Sequence, residues 1–383
     1  MHSRTMRAAV AVVAAGLTLT ACGSDSSSGS ASGSGSGTDA ATATSLEDIG
    51  DMDALVAAAQ AEGTLNVIAL PPDWANYGEM LDTFSKKYDI EINSASPDGS
   101  SQDELNAVTS QKGQDRAPDV LDLGTAFAQQ AAAQDLLAPY KVQTWDEIPE
   151  GQKDPDGNWY NDYGGYVSIG CNATVVATCP TSFADLLKPE YKGQVALNGN
   201  PTQAAAAFAG VWAASLANGG SLDDIGPGID FFKQIKDAGN FNPVEITPAT
   251  VESGETPISL DWDYLNAALT PKLAEQNVTW QVAVPSDGLF GGYYSQAINK
   301  FAPHPAAARL WQEFLYSDEG QNIWLKGGAR PVRLPTMQEA GTADPDALAA
   351  LPEVEGSAEF PTEEQQTAAQ QAVATRWNAE ISG

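Results

Sequence analysis

The chain has 383 residues, and its 19 Lys and Arg face 50 Asp and Glu, which gives a formal net charge of −31. Nucleic acid is excluded as an expected partner, since binding to it depends on clustered basic side chains. A cationic ligand fits this charge, although an acidic surface that keeps the protein soluble explains most of it.

The N-terminal residues have the pattern of a secretory signal. Basic residues precede an apolar run at 8–19 that is too short to span a bilayer permanently. The sequence LTAC at 19–22 resembles the lipobox of bacterial lipoprotein signals, and almost only Ser, Gly, Ala, Thr and Asp follow. We therefore predict a signal peptide over 1–21 and a flexible tether over 22–45 that starts at a lipidated Cys22; an ordinary cleaved signal is the alternative.

Helical and strand patterns alternate through the rest of the chain, which is long enough for two domains and has no second apolar run of membrane length. Helices are predicted at 51–62, 77–88, 181–192, 202–218, 229–238, 305–316 and 362–380, and from 101 and 317 onward. Strands are predicted at 64–70, 90–92, 120–123, 194–197, 244–246, 281–284 and 296–298, and from 258 onward. This alternation favours a parallel α/β sheet, in which ligands bind beyond the carboxyl ends of the strands.

Some side chains have an expected structural role. Ser101 and Glu104 fit a capping box at the start of their helix. Cys171 and Cys179 form an even pair in an exported chain, which predicts a disulfide. A metal or reactive-thiol pair is the alternative for the cysteines, and it lacks a nearby histidine. The helical tryptophans at 212, 311 and 324 are expected in the core.

Four stretches combine acid, aromatic or hydroxyl side chains, and none contains Arg or Lys: 72–77, 98–101, 158–163 and 261–264. Carboxylates and aromatic faces attract an organic cation. The candidate ligand-binding residues are Asp73, Trp74, Asp98, Ser100, Ser101, Trp159, Asp261, Trp262, Asp263 and Tyr264. Helix N-termini at 100–101 and 202 keep a zwitterion possible. Asp261 or Asp263 could also cap the helix that follows, and the two tryptophans at 74 and 159 could be rim or core residues.

Four longer segments carry a family resemblance: EGTLNVIAL at 62–70, GYVSIGCN at 165–172, PTSFADLLKPEYKGQVAL at 180–197 and FAPHPAAARLWQEFLYSDEGQNIWLKGGARPVR at 301–333. They resemble the extracellular solute-binding proteins of bacterial ABC importers, in the branch that includes polyamine, thiamine, aminophosphonate and ferric-iron binders. The resemblance implies a two-lobe α/β fold of the type 2 periplasmic-binding-protein class, with two crossing segments and the ligand between the lobes.

The resemblance also implies where the lobes divide. Lobe one would comprise 46–165 and 290–335, and lobe two 166–289 and 336–383. The crossings would contain Gly164 and Gly165 in the first segment and Gly291 and Gly292 in the second. Glycines at both places suit a hinge, because they tolerate changes in backbone angles; a plain turn is the alternative for each pair.

Polyamine-binding relatives use Trp and Asp residues of the kind found at 261–263, whereas ferric-iron relatives use two adjacent tyrosines. Here Leu265 follows Tyr264, so that pair is broken. We predict a monomeric, lipid-anchored receptor, outside the cytoplasm, that captures a polyamine-like cation and delivers it to an ABC permease. Thiamine, an aminophosphonate or ferric iron is the alternative ligand. No cofactor, structural metal or catalysis is expected; a glycosidase using two of Asp73, Asp98, Asp261 and Asp263 is the alternative from another class.

Overall fold

The computed structural model describes residues 40–352, 354–356, 358 and 360–382. The predicted signal peptide, Cys22 and the tether up to residue 39 lie outside this part of the chain. For residues 40–45 the prediction of a flexible tether is wrong. Ala40–Thr42 form a 3-10 turn, and the buried Ala43 accepts a 2.9 Å hydrogen bond from Arg309 Nε at its carbonyl oxygen. The helices are α1 (Leu46–Ile49), α2 (Met52–Glu62), α3 (Tyr77–Tyr88), α4 (Ser101–Ser110), α5 (Thr125–Ala133), α6 (Ala205–Ala217), α7 (Gly226–Asp237), α8 (Pro248–Glu252), α9 (Asp263–Ala274), α10 (Pro305–Leu315), α11 (Asp318–Lys326), α12 (Leu334–Ala340), α13 (Pro345–Ala349) and α14 (Glu363–Trp377). Among the residues described, no helix combines the length and apolar character that a membrane crossing requires.

The strands are β1 (Thr64–Ile68), β2 (Glu91–Ala95), β3 (Val120–Gly124), β4 (Leu137–Ala138), β5 (Tyr160–Asn172), β6 (Val195–Leu197), β7 (Phe241–Asn242), β8 (Ile258–Trp262), β9 (Trp280–Ala283), β10 (Gly291–Asn299) and β11 (Arg330–Pro331). The predicted strand at 244–246 is wrong, and the short strand of that region is β7. The predicted helix at 181–192 is also wrong. Two 3-10 turns replace it, Ala184–Leu187 and Pro189–Tyr191, because Pro189 has no N–H to continue the first one.

The long strand β5 joins two groups of strands. Its first half pairs antiparallel with β10 and β11, and its second half pairs antiparallel with β8 and β9. On the far side of β10, β3 and β4 pair with it. On the far side of β8, β6 pairs parallel with β8, and β7 pairs parallel with β6. This sheet is therefore mixed, and β1 and β2 form a separate two-stranded parallel sheet. The predicted parallel pairing is confirmed for β1 with β2 and for β6 with β7 and β8, and it is wrong for β5 and β10. The strands β5 and β10 run in opposite directions, and β10 begins opposite Tyr166 in the middle of β5.

The hydrogen bonds at the start of α4 differ from the prediction. The capping box at α4 uses Ser100 and Asp103, and not Ser101 and Glu104. Ser101 Oγ accepts the Gly124 N–H at 3.2 Å, so this hydroxyl ties α4 to the end of β3. Ser100 therefore caps the helix. Ser101 instead connects α4 to the neighbouring strand β3.

The core contains the large helical aromatics. Trp212, Trp311 and Trp324 are buried, as predicted from their helical positions. One continuous cluster of buried apolar side chains extends from Leu55 in α2 to Trp377 at the end of α14. Burial of apolar surface on this scale is the main favourable contribution to folding, and it supports the sites described below.

Cys171 and Cys179 form the predicted disulfide. Because the loop that it closes spans 8 positions in sequence, the chain-entropy model gives the bond about 2–3 kcal/mol of stabilisation. We expect Cys179→Ser to lower the free energy of unfolding, measured with urea under oxidising conditions, by about that amount. In reducing buffer the variant and the wild type should differ by much less. An equal difference in both buffers would show that packing of the side chain, and not the cross-link, is responsible.

Candidate functional site

A cavity of about 430 Å³ is lined from both groups of strands. One wall is formed by residues within 69–74 and 97–104 and by Asp122. The other is formed by residues within 198–206, 245–248 and 261–272. Tyr294 of β10 also lines it. Of the candidate ligand-binding residues, the fold brings six together here: Asp73, Trp74, Asp98, Ser100, Ser101 and Asp261.

Trp74 is held by the turn that follows β1. Ala75 and Asn76 have left-handed backbone angles, with φ of 44° and 65°, and they lead into α3. The Trp74 indole donates a 2.7 Å hydrogen bond from Nε1 to the Tyr163 hydroxyl, and its ring meets that of Tyr294 edge-on at 5.5 Å. The indole is therefore fixed at the cavity wall, where its face can contact a ligand.

Asp261 lies one residue before the end of β8, and both of its carboxylate oxygens are hydrogen-bonded. Oδ1 accepts the Trp262 N–H at 2.8 Å, and Oδ2 accepts from Asn198 Nδ2 at 2.9 Å. Burial raises the pKa of this carboxyl from 3.8 to about 7, while the two hydrogen bonds oppose the rise. Asp261 can therefore hold or lose a proton near neutral pH.

Asp122 faces the cavity from β3. Its Oδ2 accepts hydrogen bonds from the Tyr77 and Tyr163 hydroxyls at 2.9 and 2.8 Å, whereas its buried Oδ1 has no partner. The Asp122 N–H donates to Glu104 Oε2 at 2.9 Å. Burial raises the pKa of Asp122 to about 7, and burial together with the charge of Asp122 raises the pKa of Glu104 well above its usual value. Carboxyl groups with raised pKa values therefore line both walls of the cavity.

Several lining residues were missed by reasoning from the sequence: Glu104, Asp122, Asn198, Glu245, Lys272 and Tyr294. Asp122 could have been recognised from the sequence, because an acidic residue in the middle of the apolar strand VLDLG is unusual. Lys272 could not be recognised in this way, since it lies nine residues after Asp263 on α9. Its Nζ is 3.0 Å from Asp73 Oδ2 across the cavity, and both side chains are half exposed. The fold therefore adds a cation that the four predicted stretches lack.

Asp263 does not line the cavity. Its carboxylate is fully buried, lies 2.6 Å from Arg330 Nη1, and accepts the Tyr166 and Tyr264 N–H groups at 2.9 and 3.0 Å. Arg330 also donates to the Pro352 carbonyl at 2.8 Å. Neither Asp261 nor Asp263 precedes α9 as its cap, because the N-cap position is Trp262. Asp263 instead joins the start of α9 to β5 and β11.

Three aromatic candidates lie behind the cavity wall or away from it. Trp262 and Tyr264 are buried, with their rings stacked at 6.4 Å, and both pack near Tyr294 or Trp74. Trp159 is buried in a separate apolar cluster with Phe127. None of the three is among the residues that line the cavity, so their contact with a ligand stays a prediction.

The predicted hinge glycines lie side by side. In the antiparallel pairing of β5 with β10, Gly165 is opposite Gly292, and Gly164 is opposite Tyr293. A Cβ on Gly165 would overlap Asp263 Oδ1, and one on Gly292 would lie 2.7 Å from the Trp262 ring. Close packing is therefore a reason for glycine at these positions. Their role as a hinge stays a prediction.

The described fold is similar to those of several solved binding proteins. Periplasmic binding protein AfuA from Actinobacillus pleuropneumoniae, with fructose-6-phosphate bound, is 20% identical with a TM-score of 0.65, over 83% of this chain and 99% of that one. Iron-bound HitA from Pseudomonas aeruginosa is 21% identical with a TM-score of 0.61, over 81% and 97%. AgtB from A. tumefaciens R10, with agropinic acid, is 14% identical with a TM-score of 0.63, over 84% and 99%. No curated protein matches the chain.

These similarities support the two-lobe periplasmic-binding-protein fold. The family model for bacterial extracellular solute-binding proteins matches residues 115–354, which is more than half of the chain. The matched region includes β3, β5, β10 and the whole second wall of the cavity. The chain therefore belongs to the bacterial extracellular solute-binding proteins, which capture small molecules for ABC importers.

Proposed function

We propose that this protein is a lipid-anchored receptor that captures a small organic cation of the polyamine type in the cavity and delivers it to an ABC permease. The observation that supports this most directly is the charge of the lining. Five carboxyl groups line the cavity besides Asp73: Asp98, Glu104, Asp122, Glu245 and Asp261. Among the described residues that line the cavity, Lys272 is the only basic one, and it is paired with Asp73.

The lining also offers aromatic faces to such a cation. Trp74 and Tyr294 both line the cavity, and each cation–π contact contributes about 0.5–2 kcal/mol. A hydrogen bond from an ammonium group to a carboxylate contributes about 1.5–3 kcal/mol. A ligand with more than one ammonium group can use Asp98 or Asp122 on one wall and Asp261 on the other. This would favour closure of the lobes, because the full set of contacts requires both walls.

The structural neighbours leave the type of ligand open. Their bound molecules are a sugar phosphate, iron and agropinic acid, which have little chemistry in common. The lining of this cavity, and not the shared fold, therefore supports the choice of an organic cation. The family binds solutes and does not transform them, so the glycosidase alternative is not proposed.

The remaining parts of the proposal concern the lobes and the anchor. We assign lobe one to 46–165 and 290–335 and lobe two to 166–289 and 336–383, with Gly164, Gly165, Gly291 and Gly292 in the hinge. The receptor acts as a monomer. Cys22 carries the lipid, and residues 23–39 tether the receptor near the permease on the outer face of the membrane.

A thermal-shift panel tests the ligand class. A ligand at 100 times its dissociation constant adds about 2.7 kcal/mol, which corresponds to a rise in Tm of about 5 °C for a chain of this size. We expect putrescine or spermidine to produce this rise, and citrate, phosphate and ferric iron to produce none. A rise with an anion or ferric iron, and none with the two amines, would contradict the proposal.

A pair of charge-removing variants locates the site. Asp261→Asn keeps the size of the side chain and removes a carboxylate from the cavity, so we expect spermidine to bind about 10–100-fold more weakly at pH 8. Asp53→Asn removes the same charge from an exposed position on α2 and should leave the dissociation constant unchanged. Calorimetric titration measures both. Equal weakening in the two variants would show that only the net charge of the protein matters.

A zwitterion such as an aminophosphonate is the second candidate. Lys272 and the N-terminus of α4 both border the cavity, and each favours a negatively charged group. An aminophosphonate added to the thermal-shift panel separates the two candidates, because it would raise Tm where putrescine does not. Lys272→Met would then weaken binding of the zwitterion, whereas it would leave or strengthen binding of a simple cation.

A further inference from the structure

Three of the carboxyl groups that line the cavity are buried and have no basic partner. They are Glu104, Asp122 and Asp261, and each is at most 6% exposed. Within the described part of the chain, no Lys, Arg or His forms an ion pair or hydrogen bond with any of them. Buried carboxylates are ordinarily paired, since an isolated buried charge costs several kcal/mol. These three carboxyl groups therefore lack the positively charged partner that a buried carboxylate ordinarily has.

The surroundings of Asp122 contain only acidic and neutral polar groups. Glu104 of α4 and Asp162 of β5 are the nearest carboxyls, and both are buried. Tyr77 of α3 and Tyr163 of β5 donate their hydroxyls to Asp122 Oδ2. The second oxygen of Asp122, Oδ1, is buried and unpartnered. The other side chains that can donate to Asp122 are the Asp162 carboxyl, in its protonated form, and the Gln296 amide, and both are uncharged as donors. Among the described residues, Asp122 therefore lines the cavity without a cationic partner.

Asp261 has a similar environment on the opposite wall. Its hydrogen bonds come from the neutral amide of Asn198 and from the backbone N–H of Trp262. The ionisable groups that face it are the buried hydroxyls of Tyr264 on α9 and Tyr294 on β10. Lys272, the nearest lysine along α9, is 3.0 Å from Asp73. Among the described residues, no Lys, Arg or His forms an ion pair or a hydrogen bond with Asp261 either.

We propose that this receptor exchanges protons for its ligand: the empty cavity holds protons on Asp122 and Asp261, and an ammonium-bearing ligand displaces them to the solvent. This inference rests on the proposed cationic ligand. Each carboxylic acid loses one proton to water, and the carboxylate accepts hydrogen bonds from an ammonium group that keeps its own charge. One positive charge enters the site for each that leaves, so the buried charge stays balanced.

The direction of the pH dependence follows from the raised pKa values of both groups, which are about 7 in the empty protein. Above that pH the carboxyls are ionised, and binding displaces few protons. Below it they are protonated, so the ligand must displace a proton for each group, and affinity falls about tenfold per pH unit and per group. The receptor would therefore capture its ligand at neutral or alkaline pH and bind it weakly in acid.

Calorimetric titration with spermidine at pH 5.5, 6.5 and 8 tests the exchange, since its amines stay protonated in the acidic part of this range. We expect the dissociation constant to be at least about 10-fold larger at pH 5.5 than at pH 8. At pH 5.5, titrations in two buffers with different ionisation enthalpies should show about one to two protons released per ligand, and at pH 8 close to none. In Asp261→Asn the number should fall by about one, whereas Asp53→Asn should leave it unchanged.

Infrared difference spectra of the empty protein test the same groups without a ligand. A protonated-carboxyl band at pH 5.5 should disappear on titration to pH 8.5, and part of it should be missing in Asp261→Asn. Equal affinity at pH 5.5 and 8 with no proton release would overturn the exchange and leave the cationic ligand intact. No binding of spermidine even at pH 8 would overturn the proposed ligand and the exchange together. The absence of an Asp261-dependent band would overturn the exchange alone.

Discussion

Arg330→Met is expected to lower the free energy of unfolding by about 3–5 kcal/mol, because it leaves a fully buried carboxylate without its charge partner. Asp263 is 0% exposed, and Arg330, at 2.6 Å, is its only basic partner among the described residues. Arg330 also lies over the Tyr166 ring at 4.9 Å, so some packing is lost as well. Urea unfolding followed by circular dichroism measures the change.

The control for this prediction is an exposed ion pair of similar length. Lys86 and Asp82 are 2.6 Å apart on α3, with side chains that are 75% and 59% exposed. Exposed pairs contribute less than about 1 kcal/mol, so Lys86→Met should have little effect. Adding Asp263→Asn to Arg330→Met should recover part of the lost stability, since it removes the unpaired charge. Equal losses in Arg330→Met and Lys86→Met would refute a special role for the buried pair.

Gly165→Ala is expected to lower the free energy of unfolding by about 1–3 kcal/mol or more, because the added methyl group overpacks the middle of β5. The added methyl group would overlap Asp263 Oδ1 and would lie 2.7 Å from Cδ1 of the Tyr264 ring. The backbone angle of Gly165 is one that alanine adopts freely, so the cost is steric and not conformational. Because Asp263 would have to move, we expect the variant also to lose part of the stabilisation from the ion pair between Asp263 and Arg330.

Gly151→Ala is the matched control for this substitution. Gly151 lies in an exposed 3-10 turn, has no left-handed backbone angle, and leaves nothing within 4 Å of an added Cβ. Its substitution should change the free energy of unfolding by no more than about 0.5 kcal/mol. Calorimetric melting of the two glycine variants compares them directly. If Gly165→Ala melts like Gly151→Ala, the middle of β5 tolerates a larger residue and close packing is not its constraint.

Much of the local structure could be predicted from short-range patterns. Hydrophobic periodicity and a glycine predicted that a helix ends before Gly63 and that a strand begins at Thr64. In the structure, Gly63 ends the helix with the left-handed φ of 75° that favours glycine. The 181–192 segment was misread because its apolar spacing is helical, whereas Pro189 divides it into two turns. Strand direction was also misjudged, because alternating helices and strands do not reveal that β5 and β10 pair antiparallel in the middle of the sheet.

The candidate site was only partly predictable, for a different reason. Asp73, Trp74, Asp98 and Asp261 could be selected because acid and aromatic residues follow strands, where side chains reach a cleft. Asp263 is two residues from Asp261, yet its carboxylate is buried against Arg330, which is 67 positions away in sequence. A residue's neighbours in sequence do not determine which of two nearby acids meets solvent and which meets a distant cation.

By itself, the sequence determined the family, the α/β class, the disulfide and the acidic, aromatic character of several strand ends, because each depends on residue type and local spacing. The tertiary structure decided how those ends are used. It brought Glu104 and Asp122 from one wall to face Asp261 from the other, paired Asp263 with Arg330, and left the three cavity carboxyls without a basic partner among the described residues. Ionisation and hydrogen bonding depend on distance and burial in space, and these are set only when segments far apart in the chain pack together.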